Sequence, residues 1–302
     1  MLKVYMEGKN FLLVLERTNR KGLLSGPCVI RSSGYTTTVE AVKEPWIWTQ
    51  MKTLPKEDRS HASDPVIAPQ RSTLSVYEEE DCNVFNLYLR PECKGLKYAM
   101  EELAQLLERE FFKRYEKHAL VGHSKGGLLI GGLAKYLDTR TNIAMITPTF
   151  GTIMGNEQMV FEILDTYLES QSRFKQTVLT PEIELYKWVT HTVGSRRPVD
   201  YDMAIGSTFL REDLDLSRLS DHHTLLITAQ CPERYCSLSE GVFRHYGKYV
   251  GLDKGADGMV TMKKQMLASQ FVDEVVNMDA THPTVLKKAG PIIEAFLHEV
   301  FA

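Results

Sequence analysis

The stretch "HALVGHSKGGLLIGGLAKYLD", residues 118–138, constrains this chain more than any other. An apolar, strand-like run enters Gly122-His123-Ser124-Lys125-Gly126 and passes directly into a helical pattern. A strand that turns at once into a helix belongs to a parallel sheet, whose neighbouring strands need helical crossovers. Gly127, Gly131 and Gly132 lower helix propensity and predict a helix face packed close against that sheet. Gly-x-Ser-x-Gly alone is a weak signal. Between a buried strand and a helix rich in small residues it is stronger, because flanking side chains would crowd a serine held at strained backbone angles. Ser124 Oγ is then expected to point out of the sheet, at the positive end of the helix dipole, with the Lys125 N–H aimed at a developing oxyanion.

The rest of the chain agrees with such a sheet. "LKVYM" and "FLLVLER" are β-prone runs separated by "EGKN", whose Gly8 and Asn10 suit a tight hairpin turn. "PCVIR" (27–31) is a third strand. "TTTVEAVKEPWIWTQM" (36–51) has threonines able to cap a helix and a Pro45 that would break it. Residues 54–80 read as an irregular surface excursion. "NVFNLYLRP" (83–91) is β-prone, and "GLKYAMEELAQLLEREFFKRY" is the clearest amphipathic helix. "NIAMITP" (142–148), "HTLLITAQ" and "QFVDEVVNM" read as strands, and "PTVLKKAGPIIEAFLHEVF" as a closing helix. Between the second-last pair of strands lies a mostly helical region, about 155–220, with Phe161, Tyr167, Phe174, Tyr186 and Trp188. The expected fold class is therefore α/β: a mostly parallel central sheet flanked by helices, with a helical insertion. Residues 1–152 and 221–302 are read as the core and 153–220 as a cap.

A serine hydroxyl is a poor nucleophile without a base, and the base needs an acid to fix its tautomer. In a strand order of this kind the acid follows the serine and the histidine comes last. "KGADGMV" supplies Asp257 on a glycine-flanked loop, and "MDATHPTVL" supplies His282 on a loop before the last helix. Each also has a plainer reading. Asp-Gly is a common turn pair, with Asp253 a nearby substitute, and His282 stands beside Pro283 as a loop histidine would. His222 and His223 precede a strand and are expected to line its start; His298 lies on the last helix. His123, inside the turn, is expected to pack and hydrogen-bond rather than act as base.

With these residues in view, the chain resembles the α/β-hydrolases, nearest to their lipase and esterase branches. "VGHSKGG" is similar to the lipase elbow, "TPTFGT" (147–152) to the Pro-x-x-Gly-Thr segment after the next strand, "ADGMV" to the acid loop and "THP" to the histidine loop. The resemblance spans most of residues 27–302 on four short motifs. It implies the α/β-hydrolase fold, Ser124 as nucleophile, Asp257 as acid and His282 as base, with the Lys125 N–H in the oxyanion hole. The family's His-Gly after the third strand is replaced here by "IRSSGYTTT", so Ser33, Gly34 or Tyr35 supplies the second donor. The Lys125 side chain is expected to point away. The implied chemistry is cleavage of a carboxylic ester through an acyl-enzyme. Thioester cleavage, acyl transfer and amide cleavage use the same triad, and a non-catalytic protein holding a small ligand under its cap is the alternative of another class.

Composition narrows the partners. A net charge of -3 over 302 residues gives no nucleic-acid footprint. The pair Arg196-Arg197 offers an anion contact or a solvated loop. Cys28, Cys82, Cys93, Cys231 and Cys236 are odd in number and irregular in spacing, which argues against a disulfide framework and against a zinc site. No signal-peptide pattern opens the sequence and no apolar run approaches membrane-spanning length. The expectation is a cytoplasmic protein acting on a small ester or acyl substrate, with no metal or organic cofactor.

Overall fold

Short runs that are apolar at every position become strands buried on both faces. The computed structural model describes residues 3–17, 26–32, 82–90, 92–137, 140–152, 156–193, 198–230, 256–282 and 284–302. Within them lie β1 (Lys3–Glu7), β2 (Phe11–Arg17), β3 (Cys28–Ser32), β4 (Asn83–Leu89), β5 (His118–His123), β6 (Asn142–Ile146), β7 (His223–Gln230) and β8 (Glu274–Asp279). They form one sheet in the order β1-β2-β4-β3-β5-β6-β7-β8. β1 and β2 make the antiparallel hairpin that Gly8 and Asn10 predicted, with Gly8 N–H donating to Phe11 C=O at 3.0 Å. β2 pairs antiparallel with β4, and every pairing from β4 through β3 to β8 is parallel.

Successive side chains of a strand point to opposite faces, and each face has its own core. Ile30, Leu120, Ile143, Met145 and Leu226 face α1 (Leu96–Leu106) and α2 (Lys125–Leu133). Val29, Val121, Ala144, Ile146 and Ile227 face the other way, against Val285, Ala289, Ile293 and Leu297 of the closing helix. Beyond Leu106 the chain widens into a π turn, Leu107–Phe111, and the Phe111 ring meets Phe85 edge-on at 5.0 Å.

Between β6 and β7 come α3 (Glu157–Glu169), α4 (Arg173–Val193) and the single turn α5 (Pro198–Tyr201). α3 and α4 make their main contact with each other. The last helices are the single turn α6 (Met262–Gln265), before β8, and the long closing helix α7 (Val285–Phe301), after it. No helix among the described residues is long and apolar enough to cross a membrane. Cys28, Cys82 and Cys93 are buried, and none of the three is in a disulfide among the described residues. The stretches read at 36–51 and 54–80, Arg196, Arg197, Cys231, Cys236 and Asp253 lie outside the described residues.

Candidate active site

The sharp end of β5 explains the glycines around Ser124. A Cβ on Gly122 would lie 2.3 Å from the Gly126 carbonyl oxygen, and a Cβ on Gly126 would lie 2.0 Å from that of Ser32. The strand end, the helix start and the end of β3 thus touch backbone to backbone, and only glycine fits. Ser124 itself has φ 58 and ψ −124, a conformation that costs a side-chain-bearing residue about 1–3 kcal/mol and persists only where its surroundings enforce it. They do so through three bonds: Ser124 N–H donates to Ile146 C=O (3.0 Å), and Ser124 C=O accepts from Leu128 N–H (3.1 Å) and Thr149 N–H (3.3 Å). Among described residues with a side chain, only Thr147, at the end of the neighbouring strand, shares a positive φ.

The other two predicted residues meet at the same edge of the sheet. Asp257 is fully buried. Its Oδ1 accepts from the N–H groups of Met259 (2.9 Å) and Val260 (2.8 Å), the Asp-Gly turn closing on its own carboxylate. Its Oδ2 lies 2.6 Å from His282 Nδ1, and His282 N–H donates to Asp257 C=O at 2.8 Å. A carboxylate oxygen can only accept, so the hydrogen bond to Asp257 Oδ2 selects the tautomer with its proton on Nδ1. Nε2 in that tautomer carries the lone pair, and it is buried with no hydrogen-bond partner among the described residues.

His123 connects this pair to the serine turn. Its Nε2 donates to His282 C=O at 3.0 Å, and the two rings stand 4.9 Å apart, tilted by 39°. Burial pushes the His123 imidazole down to about 3, with His282 alongside adding to the effect, so His123 is neutral and its own nitrogen is committed. This is the packing, hydrogen-bonding residue that its place in the turn predicted. His222 and His223 are also at the start of β7: His222 Nδ1 accepts from Thr141 N–H at 3.0 Å, and His223 faces Asp273 and Glu299.

The Lys125 N–H opens α2 next to Ser124, while the side chain leaves the site and ends 2.5 Å from Asp200 Oδ1 in the interior. Asp200 has no counterpart in the sequence reading; 75 positions separate the pair, and no motif marks it. Ser33, Gly34 and Tyr35, the expected sources of a second oxyanion donor, lie outside the described residues. Of the aromatic residues read into the helical insertion, Phe174 (79% exposed) and Trp188 (62%) stand out from α4. No group of three His, Cys, Asp or Glu side chains able to hold a metal ion occurs among the described residues.

A mostly parallel sheet in this strand order, with the serine on the β5–α2 turn and the histidine after β8, defines an α/β-hydrolase fold, and the chain has that fold. It is similar to the mature form of a lipase from Bacillus licheniformis, with a TM-score of 0.55, 14% identity, and coverage of 95% of this chain and 97% of that one. Looser likenesses are an esterase from Pyrococcus furiosus (TM-score 0.47, 12% identity, 100% and 92% covered) and a proline iminopeptidase from Mycobacterium smegmatis (0.47, 10%, 99% and 98%). No protein-family model matches the sequence, and a search of curated proteins found no match.

Proposed function

We propose that the protein is a serine hydrolase that cleaves a small carboxylic ester by way of an acyl-enzyme. The observation that carries this reading is the Asp257–His282 hydrogen bond, on a histidine whose ring lies 4.9 Å from that of His123, the residue before Ser124. Nε2 takes the Ser124 hydroxyl proton as Oγ adds to the substrate carbonyl, and the imidazolium that forms is stabilised by Asp257. The negative charge on the carbonyl oxygen is met by the Lys125 N–H at the start of α2 and by a second donor from Ser33, Gly34 or Tyr35. The imidazolium returns its proton to the departing alkoxide. Water, deprotonated by the same Nε2, then releases the acid and restores Ser124.

Residues 153–220 act as a cap over the serine and set which acyl group enters. The lipase sharing the fold is in keeping with this class of reaction; the residues carry it. Purified protein and a Ser124→Ala variant are treated with a fluorophosphonate probe and assayed on p-nitrophenyl esters of increasing chain length. Labelling and turnover that vanish in the variant are expected, and a well-folded protein that takes up no label refutes the reading. Matched thioester and anilide substrates separate ester cleavage from the other reactions of the same triad.

A further inference from the structure

Lys125 and Asp200 form an ion pair in the interior, each side chain only 3% exposed. Removing two charges from water costs several kcal/mol that their attraction only partly recovers, and a well-packed apolar pair is often as stable. In some proteins a buried pair of this kind is kept because it fixes one geometry. That geometry falls at a critical place, because Lys125 directly follows Ser124 and carries the proposed oxyanion donor on its backbone.

Asp200 is itself held in a hub. It stands on α5, where the chain returns to the body of the protein after α3 and α4. Two residues on, Asp202 Oδ2 accepts the Leu96 N–H at the start of α1 (2.6 Å). Met203 C=O accepts the Thr152 N–H (2.9 Å), and Thr152 C=O accepts the Ile205 N–H (3.3 Å), joining this stretch to the loop after β6. That loop reaches both halves of the site: Thr149 N–H donates to Ser124 C=O, and the Thr152 hydroxyl donates to Met259 C=O (2.9 Å) within the turn that closes on Asp257. One carboxylate oxygen of Asp200 meets Lys125, while Oδ2 is buried with no hydrogen-bond partner among the described residues, so within them the bond to Lys125 is the contact that fixes this side chain.

Resting on the hydrolase reading, we infer that Asp200 is a positioning residue: through Lys125 it sets the orientation of the peptide N–H after Ser124 and keeps that turn in register with the Asp257 loop. It touches no substrate. The peptide group must be held to within about 10–20° to meet an oxyanion, and Lys125 without its partner leaves that angle to looser packing.

The test is the double variant Lys125→Met/Asp200→Leu, which keeps the backbone N–H and replaces the ion pair by apolar side chains. Its melting temperature is expected near that of the wild type and KM within about twofold. Both kcat on p-nitrophenyl butyrate and the fluorophosphonate labelling rate are expected to fall on the order of ten- to a hundredfold, less than deleting an oxyanion donor outright. A folded double variant with wild-type kcat overturns the inference. Should the double variant not fold, Asp200→Asn, assayed well below its melting temperature, serves instead. A drop in kcat at unchanged KM supports the inference, and unchanged kcat overturns it. A wild type that takes up no probe refutes the hydrolase reading and this inference together, whereas a reactive wild type beside unaffected variants refutes this inference alone.

Discussion

Gly126→Ala tests the backbone packing behind the serine turn. The new Cβ would lie 2.0 Å from the Ser32 carbonyl oxygen and 2.4 Å from its carbon, where real contacts essentially never fall below 3.0 Å, so the segments must part by roughly 1.0 Å. β3 cannot yield, being paired on one side with β4 and on the other with β5, Ser32 opposite Gly122. The start of α2 must move instead, and Ser124 and the Lys125 N–H move with it. Overpacking costs about 1–3 kcal/mol when side chains can adjust; backbone against backbone puts this site at or above the top of that range. Alanine in place of glycine within a helix returns about 1 kcal/mol, leaving a net loss of about 2 kcal/mol or more. A displacement near 1 Å at the reacting groups costs on the order of a hundredfold in rate. Urea unfolding followed by circular dichroism reads the first quantity, and p-nitrophenyl butyrate turnover at low temperature the second. Gly206→Ala is the control: φ there is +80 with nothing within 4 Å of the new Cβ, so it costs only about 1–2 kcal/mol of backbone strain and leaves turnover alone. A Gly126→Ala protein with wild-type urea midpoint and wild-type kcat refutes the reasoning.

Other consequences are as direct. Because burial holds His123 at about 3 while an exposed histidine titrates near 6.5, the unfolded chain takes up a proton below 6.5 that the folded chain refuses. Stability is full above that pH and is lost by up to about 1.4 kcal/mol per pH unit toward pH 3. His118 and His222, also lowered by burial, steepen the upper part of that window; a melting temperature constant between about pH 7 and 4.5 contradicts this. Burial raises the Cys28 thiol and pushes Cys93 up to about 11, so Ellman's reagent at mildly alkaline pH is expected to leave both unmodified until urea is added. Rapid native-state reaction at either, read by peptide mapping, would show the site to be open. Asp202→Ala removes the acceptor for the Leu96 N–H and is expected to cost about 1 kcal/mol, as losing a helix cap does, read as a lower urea midpoint.

The strands were legible because burial on both faces writes itself as an unbroken apolar run: "HALVG", "NIAMI" and "HTLLITAQ" correspond to β5, β6 and β7 within a residue or two. Their order was not. β4 lies between β2 and β3, and side-chain periodicity describes which face a strand buries, not which neighbour it takes. The amphipathic pattern through residues 95–115 reads as one regular helix, yet the chain changes to a π turn at Leu107 as aromatic packing takes over from spacing. Asp257 and His282 could be picked out as candidates because an Asp-Gly turn and a loop histidine fall at recognisable points after strands, and the two are hydrogen-bonded. Asp200 left no trace, since a lone aspartate on a short turn becomes distinctive only when folding places a buried lysine against it. The tight backbone contacts of Gly122 and Gly126 were readable as a need for small residues, but not which carbonyls impose it.

The latch between His123 and the carbonyl of His282 spans 159 positions of sequence. During synthesis the two ends of that bond emerge far apart in time: at about 5–20 residues per second, the histidine loop follows the serine turn by roughly 10–30 s. At no point in that interval does the emerging chain hold both residues proposed to activate Ser124, because Asp257 precedes His282 by 25 positions. On the proposed mechanism Ser124 therefore stays unactivated until the histidine loop has followed β8, so the order of the elements delays reactivity until all eight described strands have been made.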